Sequence, residues 1–284
     1  MLTRKTGYLT VRPESDEVPD ASRQLQREGW ALLSGVFDAA TVRSVAEEID
    51  GVFAALDPDH RLAQKGIEHF QPFRYEMLNR SAACQRAVGD PAILEVIEPL
   101  LGEDCHVIAN TAWRQPGDEE SQHGGRNWHI DAGPHIPRPP GIPWDERIPY
   151  PIFAIACHIF LQDCPIESGP TGVIPGSHTS GQAPPRDRPL DDDLTWEGRR
   201  ALPMVADAGD VALFVSDVWH RRLPSQSGDP GRFFLQVHYA RRDIAQRLRP
   251  TSVANQLSEE AAARATTNRE RTLVGLHPPR FYDG

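Results

Sequence analysis

His129 and Asp131 stand two residues apart in Asn127-Trp-His-Ile-Asp131; a second histidine follows at His220 and an arginine at Arg232. Two imidazoles and one carboxylate on one side of a divalent metal leave three coordination positions open. That arrangement suits non-haem Fe(II) and oxygen chemistry. It requires neutral imidazole and ionised carboxylate as ligands. An arginine on the strand after the second histidine can anchor a dicarboxylate through two parallel hydrogen bonds from its guanidinium. Each part alone is common, since a His-x-Asp, a histidine at a strand end and a strand arginine all occur without function. The order of the parts is the signal.

Such ligands need a rigid scaffold, and the surrounding text reads as strands separated by Gly/Pro turns. Apolar runs predict strands at 106–113, 152–161, 171–174, 210–216 and 232–239. On a regular strand His129 and Asp131 would point to one face, with His220 approaching from a facing strand. Residues 232–239 alternate only partly, as expected of a strand buried on much of both faces. Upstream, helices are expected at 20–29, 39–56, 81–89 and 91–102. In the second, Ala39, Val42, Val45, Ile49, Val52 and Phe53 share one face, and Asp38 is a candidate N-cap. Gly102 is placed to close the last of them. A further helix is expected at 257–269.

The intervening segments carry a more specific pattern. Glu167-Ser-Gly-Pro-Thr171 leads into Ile174-Pro-Gly-Ser-His178, and Gly209-Asp210 opens the run that ends at His220. With His129-Ile-Asp131, Arg232 and the opening Glu28-Gly-Trp-Ala-Leu-Leu-Ser-Gly-Val-Phe-Asp38, this text resembles the phytanoyl-CoA dioxygenase family of Fe(II)- and 2-oxoglutarate-dependent oxygenases over about residues 20–245. The resemblance implies a mainly β fold with flanking helices, whose core is a double-stranded β-helix (a cupin-like jelly roll). It implies His129, Asp131 and His220 as metal ligands and catalytic centre, and Arg232 as the anchor of the 2-oxoglutarate carboxylate. O2 would be the remaining co-substrate, and succinate and CO2 would be released as a substrate C–H bond is oxidised. By alignment of spacing, Arg114, His158 and Thr171 are further co-substrate contacts, and Arg74 is a basic residue lining the pocket. One position departs from the family: a serine two residues after the distal histidine is replaced by Arg222, with Ser225 slightly later. The presence of Asp131 argues against halogenation, for which a small residue would replace the carboxylate. His178 is expected to support a loop, and His123 and His135 flank the site.

A length of 284 residues is compatible with one oxygenase domain over 1–284. Within it the reading gives a loose arm at 1–18, mostly helical support at 20–102, a core at 105–245 and a tail at 250–284. The net charge of −10 argues against a nucleic-acid partner, which would need a basic footprint. It also argues against a strongly anionic substrate such as a CoA thioester, unless a local basic patch overrides the average. No apolar run reaches membrane-spanning length. Four scattered cysteines without C-x-x-C spacing read as small buried thiols of a cytoplasmic protein. Residues 134–151 hold seven prolines directly after the His-x-Asp. This segment is expected to act as a lid over the metal, with Gly133 and Gly141 as hinges. The expected function is therefore oxidation, most simply hydroxylation, of a small organic substrate, with specialised metabolism as its setting. A non-catalytic jelly-roll binding protein and a cupin-like metal isomerase or hydrolase are the alternatives.

Overall fold

The structure, a computed structural model, describes residues 18–55, 73–117, 126–131, 133–244 and 257–278. The expected amino-terminal arm, except for Val18, lies outside these residues, as do His60, His69 and His123.

The described strands are β1 (Trp30–Leu33), β2 (Phe73–Tyr75), β3 (His106–Gln115), β4 (Ala154–Phe160), β5 (Thr171–Val173), β6 (Thr195–Trp196), β7 (Arg199–Arg200), β8 (Leu202–Pro203), β9 (Val211–Val215), β10 (His220–Arg222) and β11 (Arg232–Ala240). Six of them form an antiparallel sheet in the order β1-β9-β4-β11-β3-β2, and a smaller sheet runs β10-β5-β8. Each of the five apolar runs expected from the sequence contains a strand, though the 171–174 run holds only the three residues of β5. The other six strands were not expected: the two-residue β6, β7 and β8, and the longer β1, β2 and β10. Three or four residues carry too little periodicity to stand out, and their pairing with β9, β3 and β5 defines them.

Side chains alternate across the larger sheet, and its two faces have different partners. Ile155, Cys157 and Ile159 of β4, Leu213 of β9, and Leu235, Val237 and Tyr239 of β11 share a core with the helices. The opposite residues, including Ala156, Phe160, Ala212, Phe214 and Phe234, share a second core with Val173 of the smaller sheet. Both faces of β11 are therefore covered, which is why its sequence alternates only partly.

The helices run Asp20–Glu28, Ala39–Ala55, Met77–Arg80, Ala82–Ala87 and Pro91–Leu101. Their caps are local. Asp38 Oδ1 accepts from the Thr41 N–H at 2.7 Å, and Asp90 Oδ1 accepts from Ala92 at 2.9 Å ahead of a Pro at the first helical turn. The expected tail helix is instead two, Glu259–Arg264 and Asn268–Leu273. Thr267 makes a capping box with Glu270, which starts a new helix where one continuous helix was expected. No helix among the described residues is long and apolar enough to cross a membrane. The four cysteines are free and buried; burial pushes Cys84 and Cys105 up to about 12, so neither is a reactive thiolate.

Candidate active site

His129 and His220 are bridge partners, each N–H donating to the other's carbonyl at 3.0 Å. This corrects the expectation of ligands on facing strands. The two imidazoles stand side by side, with ring centroids 4.2 Å apart. Nor is 129–131 a regular strand: beyond that bridge, Asp131 N–H donates to Ser216 O at 3.0 Å, so the segment is fastened at both ends of the 216–220 turn. That fastening brings Asp131 Oδ1 to 3.6 Å from His220 Nε2. One ligand atom from each of His129, Asp131 and His220 lies within 4.8 Å of the others.

The imidazole tautomers follow from the backbone. His129 Nδ1–H donates to Asn127 O at 2.7 Å and His220 Nδ1–H to Val218 O at 2.9 Å. Each ring thereby leaves the Nε2 lone pair for a metal, the usual outer-sphere arrangement for a ligating histidine. Burial, then the neighbouring His220, pushes His129 down to about 4, so it is neutral at physiological pH. Burial alone would raise the Asp131 carboxyl, but His220 and His238 beside it hold it well below the usual carboxylate range. His238 Nε2 lies 3.0 Å from Asp131 Oδ2. One carboxylate oxygen is therefore held by His238, and the other faces His220. Fe(II) requires neutral imidazoles and an ionised carboxylate as ligands, and His129 and Asp131 are held in those forms.

These groups open into a cavity of about 380 Å³. Arg232, Thr171 and His158 line it with His129, Asp131 and His220. Arg232 is buried, and its single hydrogen bond among the described residues runs from Nη1 to Gly169 O at 3.3 Å. Its buried Nε has no partner there, a condition that a carboxylate would relieve. Burial, then the nearby Arg222, pushes Arg232 down to about 9, which leaves it cationic at neutral pH. Thr171 pairs with Arg222 across β5 and β10. His158 packs 4.5 Å from the Phe234 ring; burial, then Arg232, holds it neutral.

Other expected residues lie elsewhere. Ala109, Thr111 and Trp113 of β3 face the cavity, so Arg114 faces away. It is exposed and pairs with Asp50 at 3.1 Å. Arg74 follows the same rule between cavity-lining Phe73 and Tyr75, and lies over the Phe53 ring at 4.3 Å. Arg222 lines the cavity and Ser225 does not. Arg222 Nη2 donates to Ser168 O at 3.3 Å and lies 3.6 Å from Asp229.

The proline segment contributes no residue to the cavity lining. Buried Asp217 holds both its ends, accepting from His135 N–H and Tyr150 O–H at 3.0 Å each. Arg138 N–H donates to Gly181 O at 3.1 Å, and Tyr150 packs edge-on against His178 at 5.5 Å. In this structure the segment is a braced strap against 177–182, because its polar groups find partners there and not over His129, Asp131 and His220. His178 Nε2 in turn lies 3.2 Å from Gln26 O, consistent with a loop-supporting role.

The sequence reading missed His238 and Gln236. Both were legible in principle: if Arg232 points inward on β11, positions 234, 236 and 238 do too.

Comparison with known proteins agrees with this geometry. A curated dioxygenase, andF of Emericella variicolor, is 23% identical over 237 residues, covering 78% of this chain and 74% of its own length. Ectoine dioxygenase of Sphingopyxis alaskensis is 23% identical over 195 residues, covering 62% of this chain and 58% of the relative. Among solved structures, the epimerase SnoN in complex with Fe3+, alpha ketoglutarate and nogalamycin RO superposes with a TM-score of 0.56 at 19% identity, covering 78% of this chain and 82% of that one. HygX from Streptomyces hygroscopicus with nickel and 2-oxoglutarate bound gives a TM-score of 0.55 at 17% identity, covering 78% and 86%. The family model for phytanoyl-CoA dioxygenase (PhyH) matches residues 25–233, a span that contains His129, Asp131, His220 and Arg232. The cofactors of that family are Fe(II) and 2-oxoglutarate, with O2 as the oxidant, and the described donor set fits them. The chain belongs to the phytanoyl-CoA dioxygenase family of Fe(II)- and 2-oxoglutarate-dependent oxygenases.

Proposed function

We propose that this oxygenase oxidises a C–H bond of a small organic substrate, most simply by hydroxylation, with release of succinate and CO2 from 2-oxoglutarate. The substrate belongs to specialised metabolism in this reading. The observation that carries the proposal is one cavity with the His129, Asp131 and His220 ligand atoms converging in it and buried Arg232 in its wall. Relatives named ectoine dioxygenase and L-proline trans-4-hydroxylase support a small-molecule substrate. We read the chain as one domain whose core, 105–245, is a double-stranded β-helix; the two packed antiparallel sheets support that reading. A reducing compartment such as the cytoplasm suits Fe(II) and four unpaired thiols.

Each residue has a defined task. His129 and His220 present Nε2 because Asn127 O and Val218 O hold Nδ1–H. Asp131 presents one oxygen while His238 restrains the other. Arg232 binds the distal carboxylate of 2-oxoglutarate and so orients its keto-acid end toward the ligands. Phe214 and Phe234 line the same cavity and give it apolar wall beside the ligands. Fe(II), when bound, supplies activation of O2 and of the 2-keto acid. The complete triad counts against a non-catalytic binding protein, and the underpaired Arg232 counts against a metal isomerase that needs no carboxylate co-substrate.

The test is anaerobic titration with Fe(II) and then 2-oxoglutarate. A weak visible charge-transfer band should appear only when both are present, and succinate should form on admission of O2. Absence of the band in a protein that binds Fe(II) would overturn the assignment. Succinate release stimulated by individual members of a compound panel then identifies the substrate.

A further inference from the structure

The cavity wall on the larger sheet is ordered in rows by the strand register. Phe234, Trp113 and Phe73 of that wall are successive cross-strand partners on β11, β3 and β2, and Phe160 of β4 continues the row beyond the cavity lining. Phe73 meets Trp113 edge-on at 4.0 Å, and Trp113 stacks with Phe234 at 5.5 Å. The next row is His158, Gln236, Thr111 and Tyr75. Beyond it on the same face of β11 is His238, which holds Asp131. An aromatic band thus runs beside a polar row that adjoins the metal ligands.

Gln236 lies in the middle of that polar row and lines the cavity. Trp113 Nε1–H donates to Gln236 Oε1 at 2.8 Å. An indole N–H can only donate, so the amide oxygen must face Trp113 and the NH2 group must point elsewhere. That NH2 makes no hydrogen bond among the described residues. Asp131 is the only carboxylate among the described lining residues, whereas Arg221, Arg222 and Arg232 also line the cavity. The described wall thus offers aromatic faces, Gln236 as an oriented neutral donor and nearby cationic groups. Among the described residues it offers an ammonium group no counter-charge besides Asp131.

We infer that the substrate is a flat ring system carrying a neutral or anionic oxygen acceptor, and that Gln236 is the specificity-determining residue that donates its carboxamide N–H to that oxygen. Phe73 and Trp113 hold the ring by stacking and edge contacts. The inference rests on the oxygenase reading only in taking this cavity as the substrate site, and its test needs neither iron nor turnover.

The probes are α-tetralone, a two-ring aryl ketone, and tetralin, the same skeleton without the acceptor. Their affinities for the full chain are measured by ligand-observed NMR, with L-proline as a zwitterionic comparison. Wild type should bind α-tetralone about two- to tenfold more tightly than tetralin, the ratio expected for one net hydrogen bond. Gln236→Leu should bring that ratio to about one, with tetralin affinity and metal affinity retained. Gln236→Glu keeps the acceptor for Trp113 but removes the donor, and should also abolish the preference; it serves if the leucine variant does not fold. Phe73→Ala should weaken both probes together. A ratio unchanged in both Gln236 variants would overturn the donor role. Tighter binding of L-proline than of α-tetralone, or no binding of either two-ring probe, would overturn the substrate class. A Gln236→Leu variant that loses 2-oxoglutarate affinity instead would reassign the residue to the co-substrate.

Discussion

Replacing His238 by phenylalanine keeps a ring in the cavity wall and removes the donor 3.0 Å from Asp131 Oδ2. Asp131, the proposed carboxylate ligand, is half-buried, and its other oxygen lies 3.6 Å from His220 Nε2. Without His238 its carboxylate can rotate, and one oxygen is left in a poorly solvated site. A hydrogen bond to a charged group contributes about 1.5–3 kcal/mol, equivalent to about ten- to a hundredfold in a binding constant. Losses of that size are typical when an outer-sphere partner of a metal ligand is removed. The assay is anaerobic competition for Fe(II) or Co(II) against a chromophoric chelator, with circular dichroism to establish that the variant is folded. Metal affinity should fall by that factor, and activity should recover largely when metal is raised to saturation, because His238 acts through Asp131. A folded His238→Phe protein with metal affinity within about twofold of wild type would refute the positioning role.

Four further outcomes are expected. His129→Ala, Asp131→Ala and His220→Ala should each abolish succinate formation and weaken metal binding, measured by the same competition; near-normal activity in any of them would remove that residue from the triad. Arg232→Ala should raise the 2-oxoglutarate requirement far more than the iron requirement, and Arg232→Lys should rescue only partly, whereas Arg114→Ala, which alters an exposed pair with Asp50, should leave 2-oxoglutarate titrations unchanged. Stability should fall with acid through His178: burial pushes this group down from 6.5 to about 4, so the unfolded chain binds the proton first. Its contribution is full above about pH 6.5 and is lost as pH falls toward 4; melting curves across that window should be shallower in pH for His178→Asn than for wild type. Gly209→Ala should destabilise by about 1–3 kcal/mol in chemical denaturation, because Gly209 has φ +99° and a Cβ there would lie 2.3 Å from Phe37 O.

The overall charge of −10 says little about the cavity. Arg221, Arg222 and Arg232 gather there from positions that the average does not resolve. The expectation from net charge alone, that a strongly anionic ligand is disfavoured, therefore does not extend to this site. The proline segment carries the same lesson. Proximity in sequence to His129 and Asp131 made a lid attractive, yet Asp217, from the turn before His220, holds the segment elsewhere.

The order His129, Asp131, His220 and Arg232 was legible from the chain because residue type alone restricts which metal and which co-substrate group can be held. The long strands and the main helices were legible because each repeats an apolar period and carries its own cap or turn. Tertiary pairing decided what spacing could not. The bridge between His129 and His220 set the ligands side by side; the inward register of β11 recruited Gln236 and His238; and the opposite faces of β3 and β2 removed Arg114 and Arg74 from the cavity. A strand's period states which residues share a face, but only its neighbours decide which face is covered by helices and which looks onto the metal ligands.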